Sequence, residues 1–578
     1  MPSRNTSELN LKRISKVQAR VPLQCDLTTE DSNNNESETS SITNEKVDSK
    51  KKPSLKARKT TEPSDLKNFD QRSIENVFRE IEFDAHKRES RKRRNSGKFR
   101  SNFSDNESSI TTNTIFESPE FKNSQFFGFF IFFWLAVGFL MLKSILHAYV
   151  EDREAFLQAP VFEIFSTGLL KIAITDLLMY LSIYAVYFIQ LLCAESIIQW
   201  RRIGRIATSV YEVAFLSFWG YFICERLMKH QWIGRVFLVL HMLVLLMKMH
   251  SYSFYNGYLW KILRELQFSE SYYERLRNET VQLPRGFELE TTKNLILESI
   301  AFCKFELLHQ SMSLEKANER GVLEKGSTDL CANLVKFPRN INLKNFFEFT
   351  MFPTVSYTLV FKRKEKINKV FLFEKLCALV GVIFLMLVVA ENSIYPVVKR
   401  CNDFRQKDST FQERSVFAFF ALIDLIPPLT MEYMFQFYLI WDVILSAIAE
   451  LSGFADRDFY GPWWSCTDWS QFSRYWNKPV HVFLHRHVYH SSISALSLSK
   501  LAAAFLTFFI SSVVHELVMY VIFGRIRGFL FLLQMAQMPL VLMSQSRLLR
   551  DKKVLGNVIC WFGFVTGPPM ICISYLVF

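Results

Sequence analysis

From about residue 126 to its last residue the chain is a succession of apolar stretches, at about 126–146, 169–193, 208–225, 232–249, 370–390, 416–450, 499–523, 528–546 and 554–578. Most have roughly the 18 to 25 residues that a helix needs to cross a hydrocarbon core about 30 Å thick. The 56 Phe suit surfaces that face lipid or pack helix against helix. The pattern predicts an all-α polytopic membrane protein with about nine transmembrane helices. Residues 416–450 admit two readings: one helix about 50 Å long, or two short helices broken at Pro427-Pro428.

Residues 1–120 read differently. They are rich in Ser, Asn, Thr, Lys and Glu and bury too little apolar surface to offset the entropy of ordering, so a largely disordered tail is expected ahead of a membrane domain at 121–578. Within the tail, Asp70 to His86 places Ile74, Val77, Phe78, Ile81 and Phe83 at roughly helical spacing. This is either a docking or oligomerisation helix or a transient one. Ser96, Ser108 and Ser109 are candidate phosphorylation sites.

Net charge is +13, but the basic residues lie in the tail and in loops between apolar stretches. That placement fits membrane anchoring and orientation, and nothing resembles a nucleic-acid module. Arg91 to Arg94 ahead of the first span place the N-terminus in the cytosol, and Glu151, Asp152, Glu154 and Glu163 place the next loop in the lumen. One long span at 416–450 then leaves the Trp-rich segment 456–498 cytosolic and the C-terminus lumenal. The Asn-x-Ser/Thr sites at Asn5, Asn35, Asn102, Asn106 and Asn278 would stay unglycosylated. The first apolar run is expected to act as a signal-anchor, which implies a membrane of the secretory pathway. The ten Cys include no CxxC pair, so neither a disulfide framework nor a zinc ribbon is expected.

The most informative residue is His515, which lies in the middle of an apolar stretch beside Glu516. Ionisable groups at membrane depth are costly and by default functional, and an imidazole is the usual general base for a hydroxyl. The alternative is a histidine hydrogen-bonded between helices. Glu516 lies about 100° around the helix, which makes it a structural partner on another face rather than an orienting acid. Upstream, Phe459-Tyr460-Gly461-Pro462-Trp463-Trp464-Ser465 precedes Arg474, Asn477 and His481 at helical spacing. Aromatics with Arg and Lys suit a site for an anionic, partly apolar ligand such as acyl-CoA; an aromatic belt at headgroup level is the other reading. His481, His485, His487 and His490 form the polar face of an interfacial helix rather than a metal site.

These segments together resemble the membrane-bound O-acyltransferase (MBOAT) superfamily, whose sterol and diacylglycerol branch carries Phe-Tyr-x-Asp-Trp-Trp-Asn. Two stretches are similar to the fungal sterol O-acyltransferases: Met247 to Gly257, containing His250-Ser251-Tyr252, and Phe352 to Tyr357. The resemblance covers about residue 120 to the end. It implies an endoplasmic-reticulum enzyme that transfers a long-chain acyl group from acyl-CoA to a sterol 3β-hydroxyl of the ergosterol or cholesterol type. It also implies a homo-oligomer in contact with membrane lipid. His515 would be the catalytic base and Asn477 would polarise the reacting groups. Phe459, Tyr460, Trp463, Trp464, Arg474, His481, Tyr489, Lys500 and Ser511 would line the acyl-CoA path. No metal, cofactor or covalent enzyme intermediate is called for, since acyl-CoA is a co-substrate. Pro462 and Ser465 depart from the Asp and Asn of the family motif, which leaves an inactive homologue as one alternative. A diacylglycerol acyltransferase, which shares the chemistry and most of the motif, is the other.

Overall fold

The computed structural model describes residues 71–94, 99, 101, 112–150, 168–227, 232–278, 283, 286–311, 337–364, 366–544 and 552–578. The expectations for residues 1–70, for Ser96, Ser108 and Ser109, and for Asn102 and Asn106 lie outside those residues. The chain divides into two compact units, residues 1–101 with 262–335, and residues 102–261 with 336–578.

In the first unit the helix Gln71–Arg94 is longer than the sequence pattern implies. It buries Phe78 and Ile81 against Phe268, Tyr272 and Ile296. Phe83 falls on the opposite side and is exposed, as a period of 3.6 residues requires once Ile74, Phe78 and Ile81 share a face. Nearby, the Ser101 hydroxyl donates to Glu306 at 2.8 Å, and the Gln310 amide donates to Ser101 at 2.7 Å.

The second unit holds the apolar helices, except that residues 262–277 of the helix from Trp232 belong to the first. Eight helices among the described residues are long and apolar enough to cross a membrane: Phe127–Leu146, Leu169–Ala194, Trp200–Glu225, Trp232–Arg277, Lys369–Arg405, Phe411–Ser452, Lys500–Phe523 and Lys553–Val577. The 416–450 region is one helix that runs through Pro427-Pro428 and widens to π-helical geometry at Tyr438–Ile444. At 42 residues it outlasts the hydrocarbon thickness.

Two expectations change. The stretch 232–249 does not end there, because its helix continues to Arg277. Beyond residue 250 it is buried by packing and hydrogen bonds rather than marked by hydropathy. The stretch 528–546 is not one span but two short helices, Phe529–Met535 and Gln537–Ser544. Pro539 explains the break: without an N–H it cannot bond the Met535 carbonyl one turn back, and it is tolerated in the first turn of the following helix.

No strand occurs among the described residues; the only extended pairing is a bridge between Arg363 and Phe454. Main-chain bonds flank it, Lys364 N–H to Gly453 O at 2.9 Å and Ala455 N–H to Lys362 O at 3.1 Å. They fix where the chain leaves the Phe411–Ser452 helix and enters the aromatic segment.

Candidate active site

The aromatic segment is an ordered loop followed by two short helices. Its first part is core. Phe459, Tyr460 and Trp463 are buried, and they pack with Phe437, Phe472, Trp476 and Phe564. Trp463 sits at the centre, with ring centroids 4.8 Å from Trp476 and 5.1 Å from Phe437. Trp464 is only partly buried. Gly461 lets the loop lie close on Tyr475, since a Cβ there would approach the Tyr475 ring to 3.0 Å.

Pro462 and Ser465 bound a single 3-10 turn, Trp463–Ser465. The turn is closed by main chain, with Trp463 N–H donating to Gly461 O at 2.7 Å and Ser465 N–H to Pro462 O at 3.0 Å. No side chain at 462 or 465 is needed for that closure. The C-terminal helix adds a clamp: the Asn557 amide donates to Trp464 O at 3.0 Å and Cys466 O at 2.8 Å, and the Trp561 indole donates to Trp464 O at 3.0 Å. Gly556 permits this approach, since a Cβ there would stand 2.2 Å from the Thr467 carbonyl oxygen. Gly556→Val is therefore expected to push the loop off the helix and cost about 1–3 kcal/mol or more. The check is the thermal midpoint of the detergent-solubilised protein, which falls. Burial pushes the Cys466 thiol up to about 12, so it is protonated and no nucleophile at neutral pH.

A buried charge network anchors the front of the loop. Tyr460 donates to Asp442 Oδ1 at 3.0 Å, and Lys375 pairs with Asp442 Oδ2 at 2.7 Å. Arg457 pairs with Glu117 at 2.9 Å and also with Glu450, which accepts from Lys364 at 3.0 Å. Burial, reinforced by Asp442, raises the Tyr460 phenol and keeps it the donor. Three cations face three carboxylates, so each buried charge is compensated, the condition on which such groups are tolerated. Lys375 and Asp442 were legible as ionisable residues inside apolar stretches, the signal that singled out His515. Asn557 and Trp561 carried no comparable signal.

After the loop, Asn477 caps the helix Lys478–Phe483, its Oδ1 accepting from Val480 N–H at 3.2 Å. That assignment commits the oxygen to the cap and leaves the amide NH₂ as donor. Lys478 ties the helix back to the loop through Asp458 at 2.5 Å, and its N–H bonds Phe459 O at 3.1 Å. The chain continues as a π-helical segment, Leu484–Tyr489. His481 and Tyr489 are both partly buried here, and the His485 ring stacks on each. Burial, with His485 and Arg474 beside it, pushes the His481 imidazole down to about 4, so it is neutral at neutral pH. Arg474 and Lys500 are exposed.

The π-helical segment packs against the Lys500–Phe523 helix, which carries Lys500, Ser511 and His515. His515 is exposed, and its Nδ1 lies 2.8 Å from Ser511 O one turn back. A carbonyl only accepts, so Nδ1 carries the hydrogen and Nε2 presents a lone pair. Two other histidines within spans behave otherwise. His241 is tied to Asp176 at 2.5 Å and His250 to Glu212 at 3.1 Å, each a contact between helices. The hydrogen bond of His515 stays within its own helix, so the interhelical alternative does not apply to it. Glu516 does what its offset implied: it is buried and accepts from the N–H groups of Arg527, Gly528 and Phe531 and from the Tyr575 hydroxyl at 2.6 Å. No hydrogen bond joins His515 to Asn477; Asn477 caps the short helix that leads into the π-helical segment packed on the His515 helix.

The structure also brings together the two stretches that carried the sterol-branch resemblance. Ser251 Oγ accepts from Tyr357 N–H at 2.8 Å and lies 3.0 Å from His487 Nε2. Burial lowers the His487 pKa well below the ordinary value, with His250 and Arg486 adding to it, so this histidine is neutral. Arg486 donates to Tyr357 O at 3.1 Å, and the Tyr252 and Tyr357 rings meet at 4.9 Å. Residues 251–257 and 352–357 thus brace the segment that leads to the His515 helix.

The profile of the membrane-bound O-acyltransferase family, MBOAT, matches residues 300–577. Sterol O-acyltransferase 2 of Candida albicans is 49% identical over 488 residues, 83% of this chain and 80% of that protein. Sterol O-acyltransferase 2 of Saccharomyces cerevisiae is 42% identical over 457 residues, 79% of this chain and 67% of that one. Diacylglycerol O-acyltransferase 1 of Dictyostelium discoideum is 27% identical over 282 residues, 48% of this chain and 44% of its own. With likeness of this extent across the helical domain, the chain belongs to the membrane-bound O-acyltransferase family.

Proposed function

We propose that the protein is a sterol O-acyltransferase, moving a long-chain acyl group from acyl-CoA to a sterol 3β-hydroxyl to form a steryl ester. The observation that carries this is the 49% identity to a sterol O-acyltransferase over 83% of the chain. The diacylglycerol enzyme is matched at 27% over 48% of it. His515 is the general base. Its Nε2 lone pair takes the proton of the sterol hydroxyl as that oxygen attacks the thioester carbonyl. The Asn477 NH₂ donates to the developing oxyanion. Collapse of the tetrahedral intermediate breaks the carbon–sulfur bond, and the departing CoA thiolate receives the proton held on Nε2. The reaction balances without metal, cofactor or acyl-enzyme.

Acyl-CoA lies along Arg474, His481, Tyr489, Lys500 and Ser511, with the exposed Arg474 and Lys500 placed for its phosphates. Phe459, Tyr460, Trp463 and Trp464 shape the wall of that path, three of them from the core. The protein works as a homo-oligomer in the endoplasmic-reticulum membrane, among membrane lipid, with its N-terminus in the cytosol. The test is expression in cells lacking their own steryl-ester synthesis, with total lipid extracted and separated. Restored steryl ester is expected. Triacylglycerol gained without steryl ester would assign the other acceptor.

A further inference from the structure

Of the charge network that anchors the loop, one carboxylate comes from outside the membrane helices. Residues 112–122 lie just ahead of the first span and outside the region matched by the family profile. They are nonetheless built into the core. The buried Thr114 hydroxyl donates to Asp442 Oδ1 at 2.6 Å, the oxygen that also accepts from Tyr460. Glu117 Oε2 accepts from Arg457 at 2.9 Å, and its Oε1 lies 2.8 Å from Lys375 as an ion pair off the hydrogen-bonding direction. Phe116 meets the Trp464 ring at 6.1 Å and Tyr438 at 5.7 Å. Ser118 then caps the short helix Pro119–Lys122, accepting from Phe121 N–H at 3.2 Å, which sets the direction in which the chain enters the first span.

We propose that residues 112–122 form a strap whose Glu117 and Thr114 are positioning residues for the acyl donor, acting through Arg457, Tyr460 and Trp464. This rests on the reading of the aromatic loop as the wall of the acyl-CoA path. The strap grips that loop at both ends. Arg457 stands two residues before Phe459, and Trp464 is the member of the aromatic motif that the core leaves partly open. Without the Glu117 carboxylate, Arg457 keeps Glu450 and Lys375 keeps Asp442, so each retains one carboxylate contact. Three cations then face two carboxylates, so some stability is lost as well, and a change confined to the donor KM is what separates position from folding. What is lost is the charge-assisted contact that sets where Arg457, and with it the loop, comes to rest.

The experiment uses the full chain in microsomes with labelled oleoyl-CoA and ergosterol, comparing wild type with Glu117→Gln, Thr114→Val and Glu120→Gln. Glu120 is exposed on the short helix Pro119–Lys122 that follows and serves as the control. Glu117→Gln is expected to raise KM for oleoyl-CoA about tenfold, the size of one charge-assisted hydrogen bond, with KM for ergosterol unchanged. Thr114→Val, which alters no charge, should move the donor KM in the same direction by less. Glu120→Gln should match wild type. Binding of a non-hydrolysable thioether analogue of oleoyl-CoA to the solubilised protein is a second readout, independent of turnover. A normal donor KM in Glu117→Gln, or donor and acceptor KM rising together, overturns the strap while leaving the acyltransferase reading intact. Wild type that neither binds the analogue nor makes steryl ester overturns both.

Discussion

His515→Ala is expected to lower steryl-ester formation about 10²- to 10⁴-fold, the span that a positioned general base supplies, while the protein folds and solubilises as wild type does. The geometry separates these two outcomes. His515 is exposed, and its hydrogen bond is to a main-chain carbonyl of its own helix, so no other helix depends on the imidazole. His515→Gln should fail as fully, because a carboxamide keeps the size and polarity of the side chain but cannot take a proton at neutral pH. The check is the initial rate at matched expression, with size-exclusion profiles of both variants beside wild type. A variant that keeps even a tenth of the rate would remove His515 from the role of base.

The neighbouring residue should behave in the opposite way. Glu516→Ala removes the acceptor of three main-chain N–H groups and of the buried Tyr575 hydroxyl. The buried Tyr575 hydroxyl left without a partner costs about 1–3 kcal/mol, and the three partly buried N–H groups add less each, so the sum is on the order of a few kcal/mol. The expected result is loss of monodisperse protein and a thermal midpoint well below that of wild type. Glu516→Gln keeps an acceptor oxygen and should be milder. Activity lost in Glu516→Ala with stability unchanged would mean that this carboxylate acts in the chemistry instead of holding the start of the Phe529–Met535 helix. Adjacent positions with such different phenotypes follow from one rotation of about 100° along a helix.

That contrast also marks what the sequence makes legible. Membrane spans are read from the length of apolar runs, and of the two readings of 416–450 the structure has the single helix, because neighbouring packing carries a helix through Pro427-Pro428 at membrane depth. Where burial does not come from hydropathy, the reading stops early. The helix from Trp232 runs on past His250 with Ser251, Ser253 and Asn256 buried among partners that hydropathy does not register. The break at Pro539 was hidden inside a run apolar enough for a span. Within the site, His515 and Asn477 stood out by residue type and motif. Of the groups that hold the loop, Lys375 and Asp442 stand out as ionisable residues in apolar stretches, but Glu117 and Asn557 do not, because Glu117 lies 340 residues from Arg457 and Asn557 lies 93 from Trp464. The aromatic motif shows the same limit. Its residue types mark a site, but only the fold separates Trp463, which sits in the core, from Trp464, which remains partly open.

The central claim is the acceptor and the base, and one assay addresses both. Microsomes from cells lacking their own steryl-ester synthesis would receive labelled oleoyl-CoA with ergosterol, cholesterol or diacylglycerol, for wild type and His515→Ala at matched expression. Labelled steryl oleate from wild type, well above any triacylglycerol and absent from the variant, is the predicted result. Triacylglycerol as the dominant product, steryl oleate undiminished in His515→Ala, or no product from wild type with any acceptor would contradict it.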